Sequence, residues 1–171
     1  MAEKFDPTPE QRKAGLAHLV EEMERLLLSA CALGKTPDQA SFQGQMLGDA
    51  LFLHIRVLLE FFQRGSRYIF NGVELDTILA SDYGFQTSNV HGGRSIWERL
   101  NKEYAHLSYG RTDAPWDMQL LVPLLDRCRK FAETVISGAN QPLVAGDEKQ
   151  LKRWLQVHAE CAAITIEPPS P

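Results

Sequence analysis

From Thr8 onward an apolar residue returns every three or four positions, at Leu16, Leu19, Val20, Met23, Leu26, Leu27, Ala30 and Cys31. That spacing draws one stripe along a helix, with the charged stretch Glu21 to Arg25 on its outer side. Thr8-Pro9-Glu10-Gln11 supplies the start: a threonine N-cap, a proline in the first turn where its missing N–H is no loss, and glutamine at the third helical position. Gly34-Lys35 ends the helix. The same order of residues recurs at Thr36-Pro37-Asp38-Gln39 and predicts a second helix from about Pro37 to Arg64. Its stretch MLGDALFLHIRVLLEFF, Met46 to Phe62, is apolar nearly all round, the pattern of a helix at the centre of a bundle.

Asn71-Gly72 then separates Tyr68-Ile69-Phe70 from Val73-Glu74-Leu75, the pattern of a two-residue hairpin turn, so a small β-hairpin is expected near 68–75. Residues 84–93 read as a loop. Ser95-Ile96-Trp97-Glu98 is a third capping box and opens a helix expected from Ser95 to Tyr109. A fourth helix is expected from Pro115 to Ser137, with Pro123 kinking it or marking its first turns. A linker through residues 138–146 leads to a fifth, shorter helix that begins at Asp147, and residues 162–171 read as an extended or disordered tail. The expected fold is all-α: one domain, residues 1–161, in which an up-down bundle of four main helices is joined by a C-terminal helix and a small hairpin.

Composition narrows the function classes. A length of 171 residues suits a single core, and a formal net charge of −4 argues against a duplex-DNA binder, which carries a basic face. The first residues lack a signal-type apolar run. The most apolar stretch, Ala50 to Phe62, is broken by His54, Arg56 and Glu60 and is too short to span a bilayer. A cytoplasmic protein without membrane contact is therefore expected. Cys31, Cys128 and Cys161 lie far apart and form no Cys-x-x-Cys pair, so they read as reduced apolar fillers on helices.

Candidate chemistry sits on two helices. At about 100° per residue, Asp49, Arg56 and Glu60 fall within a strip about 40° wide on the second helix. Such a line either looks out to water or faces polar groups on a neighbouring helix. On the third helix Arg99 and His106 share a face with Lys102 and Glu103, opposite Leu100, Tyr104 and Leu107. A histidine moves protons near neutral pH, and an arginine stabilises developing phosphorane charge. The plainer account makes this a solvated face on which His106 bonds a connecting loop. Glu103 and His106 also form one Glu-x-x-His pair, where a di-iron bundle needs two, and His54 points about 140° away from the Asp49 line. No cofactor and no metal site is expected. Trp97, Trp116 and Trp154 read as packing anchors, and Arg127, Arg129 and Lys130 as a solvated basic cluster.

An arginine followed by a histidine late in a helical bundle, with a polar residue beside the arginine, resembles the HEPN superfamily (higher eukaryotes and prokaryotes nucleotide-binding). Arg99, Asn101 and His106 carry the likeness, and Tyr109 stands near a tyrosine of some members. Six residues separate Arg99 from His106, and Leu100 occupies the place where the polar residue usually stands. The resemblance implies a mostly dimeric bundle, many of whose members cleave RNA without metal through residues meeting across the dimer interface. The stretches ALFLHIRVLLEFF and NKEYAHLSYGR with the following Pro115-Trp116 also resemble helical bacterial proteins of no assigned function. Two main readings stand open. One is a binding or interaction bundle, a homodimer with a protein partner. The other is a HEPN-like metal-independent endoribonuclease acting on RNA, with His106 as acid/base, Arg99 on the phosphate, and Asn101 together with Arg56 or Tyr109 orienting the RNA. A metal-binding bundle is the third.

Overall fold

The start at Thr8 forms as its residues dictate. In the computed structural model, which describes residues 4–38, 40–90, 93–103, 121–138 and 147–164, helix α1 spans Pro9–Lys35. Thr8 Oγ1 accepts from the Gln11 N–H at 3.2 Å, and Gln11 Oε1 accepts from the Thr8 N–H at 2.8 Å, a complete capping box. The second expected start is used differently. Thr36 closes α1, donating its hydroxyl to the Ala32 carbonyl at 2.9 Å and its N–H to Leu33 O at 3.1 Å. Helix α2, Phe42–Gln63, begins five residues later behind Ser41, whose Oγ accepts from the Gly44 N–H at 3.2 Å. Open carbonyls at the end of α1 lay within reach of Thr36, and its side chain is held back on that helix by donating to one of them.

Asn71 (φ 50°) and Gly72 (φ 79°) both take the left-handed conformation that a type I′ turn demands. They join β1, Ile69–Phe70, to β2, Val73–Glu74, in an antiparallel pair. Polar ties hold this hairpin in place. The Phe5 N–H donates to Glu74 Oε2 at 3.1 Å, Tyr68 OH donates to Glu60 Oε1 at 2.7 Å, and Arg67 pairs with Asp82 at 2.6 Å while lying over the Phe5 ring. Asp82 belongs to a 3-10 turn, Ala80–Tyr83, that follows the hairpin.

Helix α3 spans Gly93–Glu103, so Ser95 is its third residue and not its N-cap. Helix α4 spans Leu121–Ile136, with Pro123 as its third described residue. Helix α5 spans Asp147–Ile164, which takes in three residues that the sequence pattern assigns to the tail. The expected end of the third helix near Tyr109, the start of the fourth at Pro115, and Trp116 lie outside the described residues.

The fold is all-α with one small hairpin, and no described helix is long and apolar enough to cross a membrane. α1 packs on α2 and α5, and α4 packs on α2 and α5, so these four helices close a ring around the core. α3 docks on α2. The C-terminal helix is thus a full member of the bundle, because it drives Leu151 and Trp154 into the interior, each 2% exposed or less. Five aromatic rings meet at the centre. Phe131 of α4 lies edge-on to Phe61, Phe62, Tyr83 and Phe85, with centroids 5.3, 6.0, 5.8 and 5.4 Å away. Tyr83 reaches into this cluster while its hydroxyl donates to the Arg12 carbonyl at 2.9 Å. Gly15, buried on α1, leaves room for it: a Cβ there would stand 2.7 Å from Tyr83 Oη. Cys128 is buried in the core, Cys31 and Cys161 are half-buried, and none of these three helical cysteines is in a disulfide.

Candidate functional site

The line of ionisable residues on α2 faces a neighbouring helix at one point and water at another. Arg56, half-buried, donates from Nε to Asn101 Oδ1 of α3 at 2.7 Å. The Asn101 amide in turn donates from Nδ2 to the Trp97 carbonyl one turn earlier at 3.0 Å, which fixes the amide's orientation. One turn along α2, Glu60 accepts from Arg64 Nε at 3.2 Å and from Tyr68 OH at 2.7 Å, and the Arg64 guanidinium lies over the Tyr68 ring at 3.4 Å. Burial and the adjacent Glu60 carboxylate both push the Tyr68 hydroxyl above its ordinary pKa. Asp49, at the other end of the line, is exposed.

Between α2 and α3, Glu60 and Arg64 border a cleft of about 340 Å³, which Arg56, Asn101 and Asp49 do not line. Leu59, Glu60, Gln63 and Arg64 form one wall, and Trp97 and Glu98 the other. The lining carries two carboxylates against one guanidinium, which disfavours a free anion there.

The candidate residues on α3 divide. Leu100 is 1% exposed and anchors the helix in the core. Asn101 stands on its α2 side and meets Arg56. Arg99 is half-buried and about 200° around the helix from Asn101, on the other flank of Leu100. The structure therefore joins Arg56 to Asn101 and sets Arg99 on a different side. His106, Tyr109 and the Glu103 side chain lie outside what the structure describes.

His54 is buried and its Nδ1 lies 2.7 Å from Glu22 Oε2 of α1, so the pair ties the first two helices together. Its position away from the Asp49 line is legible in the periodicity; its partner is not. Among the described residues no group of three or more histidine, cysteine, aspartate or glutamate side chains is arranged to hold a metal. The basic cluster on α4 is only partly solvated. Arg129 and Lys130 pair with Asp126, and Arg129 also with Glu133, along the surface. Arg127 instead lies over the Phe85 ring at 4.4 Å and donates to the Gln86 carbonyl, anchoring the loop before α3.

No protein-family model matches the chain, and comparisons with curated proteins and with solved structures find no significant match.

Proposed function

We propose that this chain is a binding module that works as a homodimer, recognising a partner protein without chemistry of its own. The observation that supports it is the outer face of α2. A helix whose inner face fills the core also carries Phe42, Met46, Leu53 and Val57 exposed on its outside. Apolar side chains aligned along one exposed face are the mark of an association surface, where scattered ones would be ordinary. Sedimentation equilibrium of the full chain from 1 to 100 µM tests the reading. A mass of twice the 19.3 kDa chain is expected, and a monomer throughout that range refutes it.

A second reading has its own support in the Arg56–Asn101 bond, which brings two of the candidate residues from different helices into one polar cluster. In that reading the protein is a HEPN-like metal-independent endoribonuclease: His106 exchanges the proton, Arg99 stabilises the phosphorane, and Asn101 with Arg56 orients the RNA. Cleavage of a labelled mixed-sequence RNA in EDTA tests it. Wild-type cleavage that His106→Ala and Arg99→Ala both abolish while remaining folded supports the nuclease. No cleavage by wild type at high enzyme concentration removes it.

A further inference from the structure

The outer face of α2 is built as a repeat. Met46, Ala50, Leu53 and Val57 follow one another at intervals of four, three and four residues, the spacing of a two-helix seam, and Phe42 extends it by one turn. The face is open: Phe42 is 78% exposed, Met46 57%, Leu53 52% and Val57 38%. Its two edges differ. On one side Asp49 and Arg56 run parallel to the seam, and Arg56 is bonded to Asn101 of α3. On the other side His54 turns inward to Glu22 of α1.

We infer that this seam binds a second copy of the chain, with the two α2 helices antiparallel. The inference rests on the homodimer reading and specifies its interface. Antiparallel packing around a two-fold axis sets Met46 against the partner's Val57 and Ala50 against the partner's Leu53, filling the seam from end to end. It also places the α3 edge of one copy beside the α3 edge of the other. Asp49 then faces the partner's Arg56, and the symmetry makes the pair twice. The bond to Asn101 engages Arg56 through Nε, and the pairing with Asp49 would use the outer nitrogens of the guanidinium. A parallel arrangement would bring the α3 edge against the partner's α1 edge, where His54 is buried against Glu22 and where Arg25 already pairs with Glu21 and Glu22.

The exposed area is of the order an interface needs. Scaling the exposed fractions of the four large apolar side chains by about 180 Å² each gives roughly 400 Å² per copy. Full coverage in both copies would bury roughly 800 Å² from these residues, against the ~1,000 Å² that a specific interface requires, and the exposed Gln43, Gln45 and Asp49 flank the same face.

The full chain with Leu53→Glu, an exposed position whose change leaves the core intact, separates the possibilities. Each dimer would hold two buried glutamates, so self-association by sedimentation equilibrium falls at least about 100-fold while the far-UV spectrum is unchanged. Asp49→Arg weakens association, and adding Arg56→Asp in the same chain restores it. For the register, chains carrying Ala50→Cys mixed with chains carrying Leu53→Cys cross-link between positions 50 and 53 under mild oxidation; position 50 to itself would be the parallel product. A wild type that is dimeric, with Leu53→Glu still dimeric, overturns the seam and leaves the homodimer reading standing. Dominant cross-linking of position 50 to itself overturns the antiparallel arrangement. A wild-type monomer at 100 µM overturns both, and a different protein then covers this face.

Discussion

Replacing Gly15 with alanine puts two effects of known size in opposition. In a helix interior alanine is favoured over glycine by about 1 kcal/mol, so on propensity alone the variant is more stable. The structure reverses the sign. The new methyl group would stand 2.7 Å from Tyr83 Oη and 3.2 Å from Ile78 Cδ1. The tyrosine ring has little freedom to retreat, because its hydroxyl is bonded to the Arg12 carbonyl and its face meets Phe61 and Phe131. Moving it forfeits a hydrogen bond worth about 1 kcal/mol and strains a packed cluster by roughly 1–3 kcal/mol. The net expectation is destabilisation by about 1–3 kcal/mol, or a melting temperature lower by roughly 2–12 °C for a chain of this length. Urea titration followed by circular dichroism, at one fixed protein concentration so that self-association does not enter, measures it. Tyr83→Phe removes the crowded oxygen, so Gly15→Ala in that background costs less by about 1 kcal/mol or more. An alanine variant as stable as wild type would refute the reasoning, and so would an equal effect in both backgrounds.

Three further expectations rest on the same structure. Phe131→Ala removes the ring at the centre of the aromatic cluster and destabilises by about 3–5 kcal/mol in urea titrations; a loss below about 1.5 kcal/mol would show that the cluster closes over the gap. His158 stacks near Trp154, and burial, aided by nearby Arg129, holds its pKa below the usual histidine value. The unfolded chain therefore takes up this proton first as the pH falls through about 6.5. Stability drops from there until the folded-state pKa is passed, and His158→Gln should flatten that part of a stability–pH curve; an unchanged slope refutes the assignment. Cys128 is fully buried with its thiol pKa pushed far up, so alkylation at pH 8 should spare it until the protein unfolds, as peptide mass spectrometry would record.

What could be read from the sequence was what short-range chemistry decides. The Thr8 capping box and the Asn71-Gly72 turn each close within four residues, and both formed as expected. The equally convincing Thr36-Pro37-Asp38-Gln39 did not, because its threonine sits beside the open carbonyls of a helix that was ending and is drawn to them first. Periodicity placed Asp49, Arg56 and Glu60 on one line and sent His54 elsewhere. It had no means of pairing Arg56 with Asn101, 45 residues on, or His54 with Glu22, 32 residues back. The outer face of α2 illustrates the same limit. A helix apolar all round looks wholly buried in sequence, and only the arrangement of its neighbours shows which side they leave uncovered.

The hairpin shows how unevenly this molecule is held together. Its strands are two residues long, its apolar side chains Ile69, Phe70 and Val73 are exposed, and its attachments are the polar ties through Phe5, Glu60 and Asp82. Releasing it gives up a handful of charged and hydrogen-bonded contacts and no part of the aromatic cluster, so it is a unit of lower local stability than the helices around that cluster. In hydrogen exchange the Leu75 amide, bonded across the hairpin to Tyr68 O at 2.7 Å, would lose its proton long before the amides of α2. Among the described segments, a protease would meet the hairpin as an opening flap rather than as a finished surface.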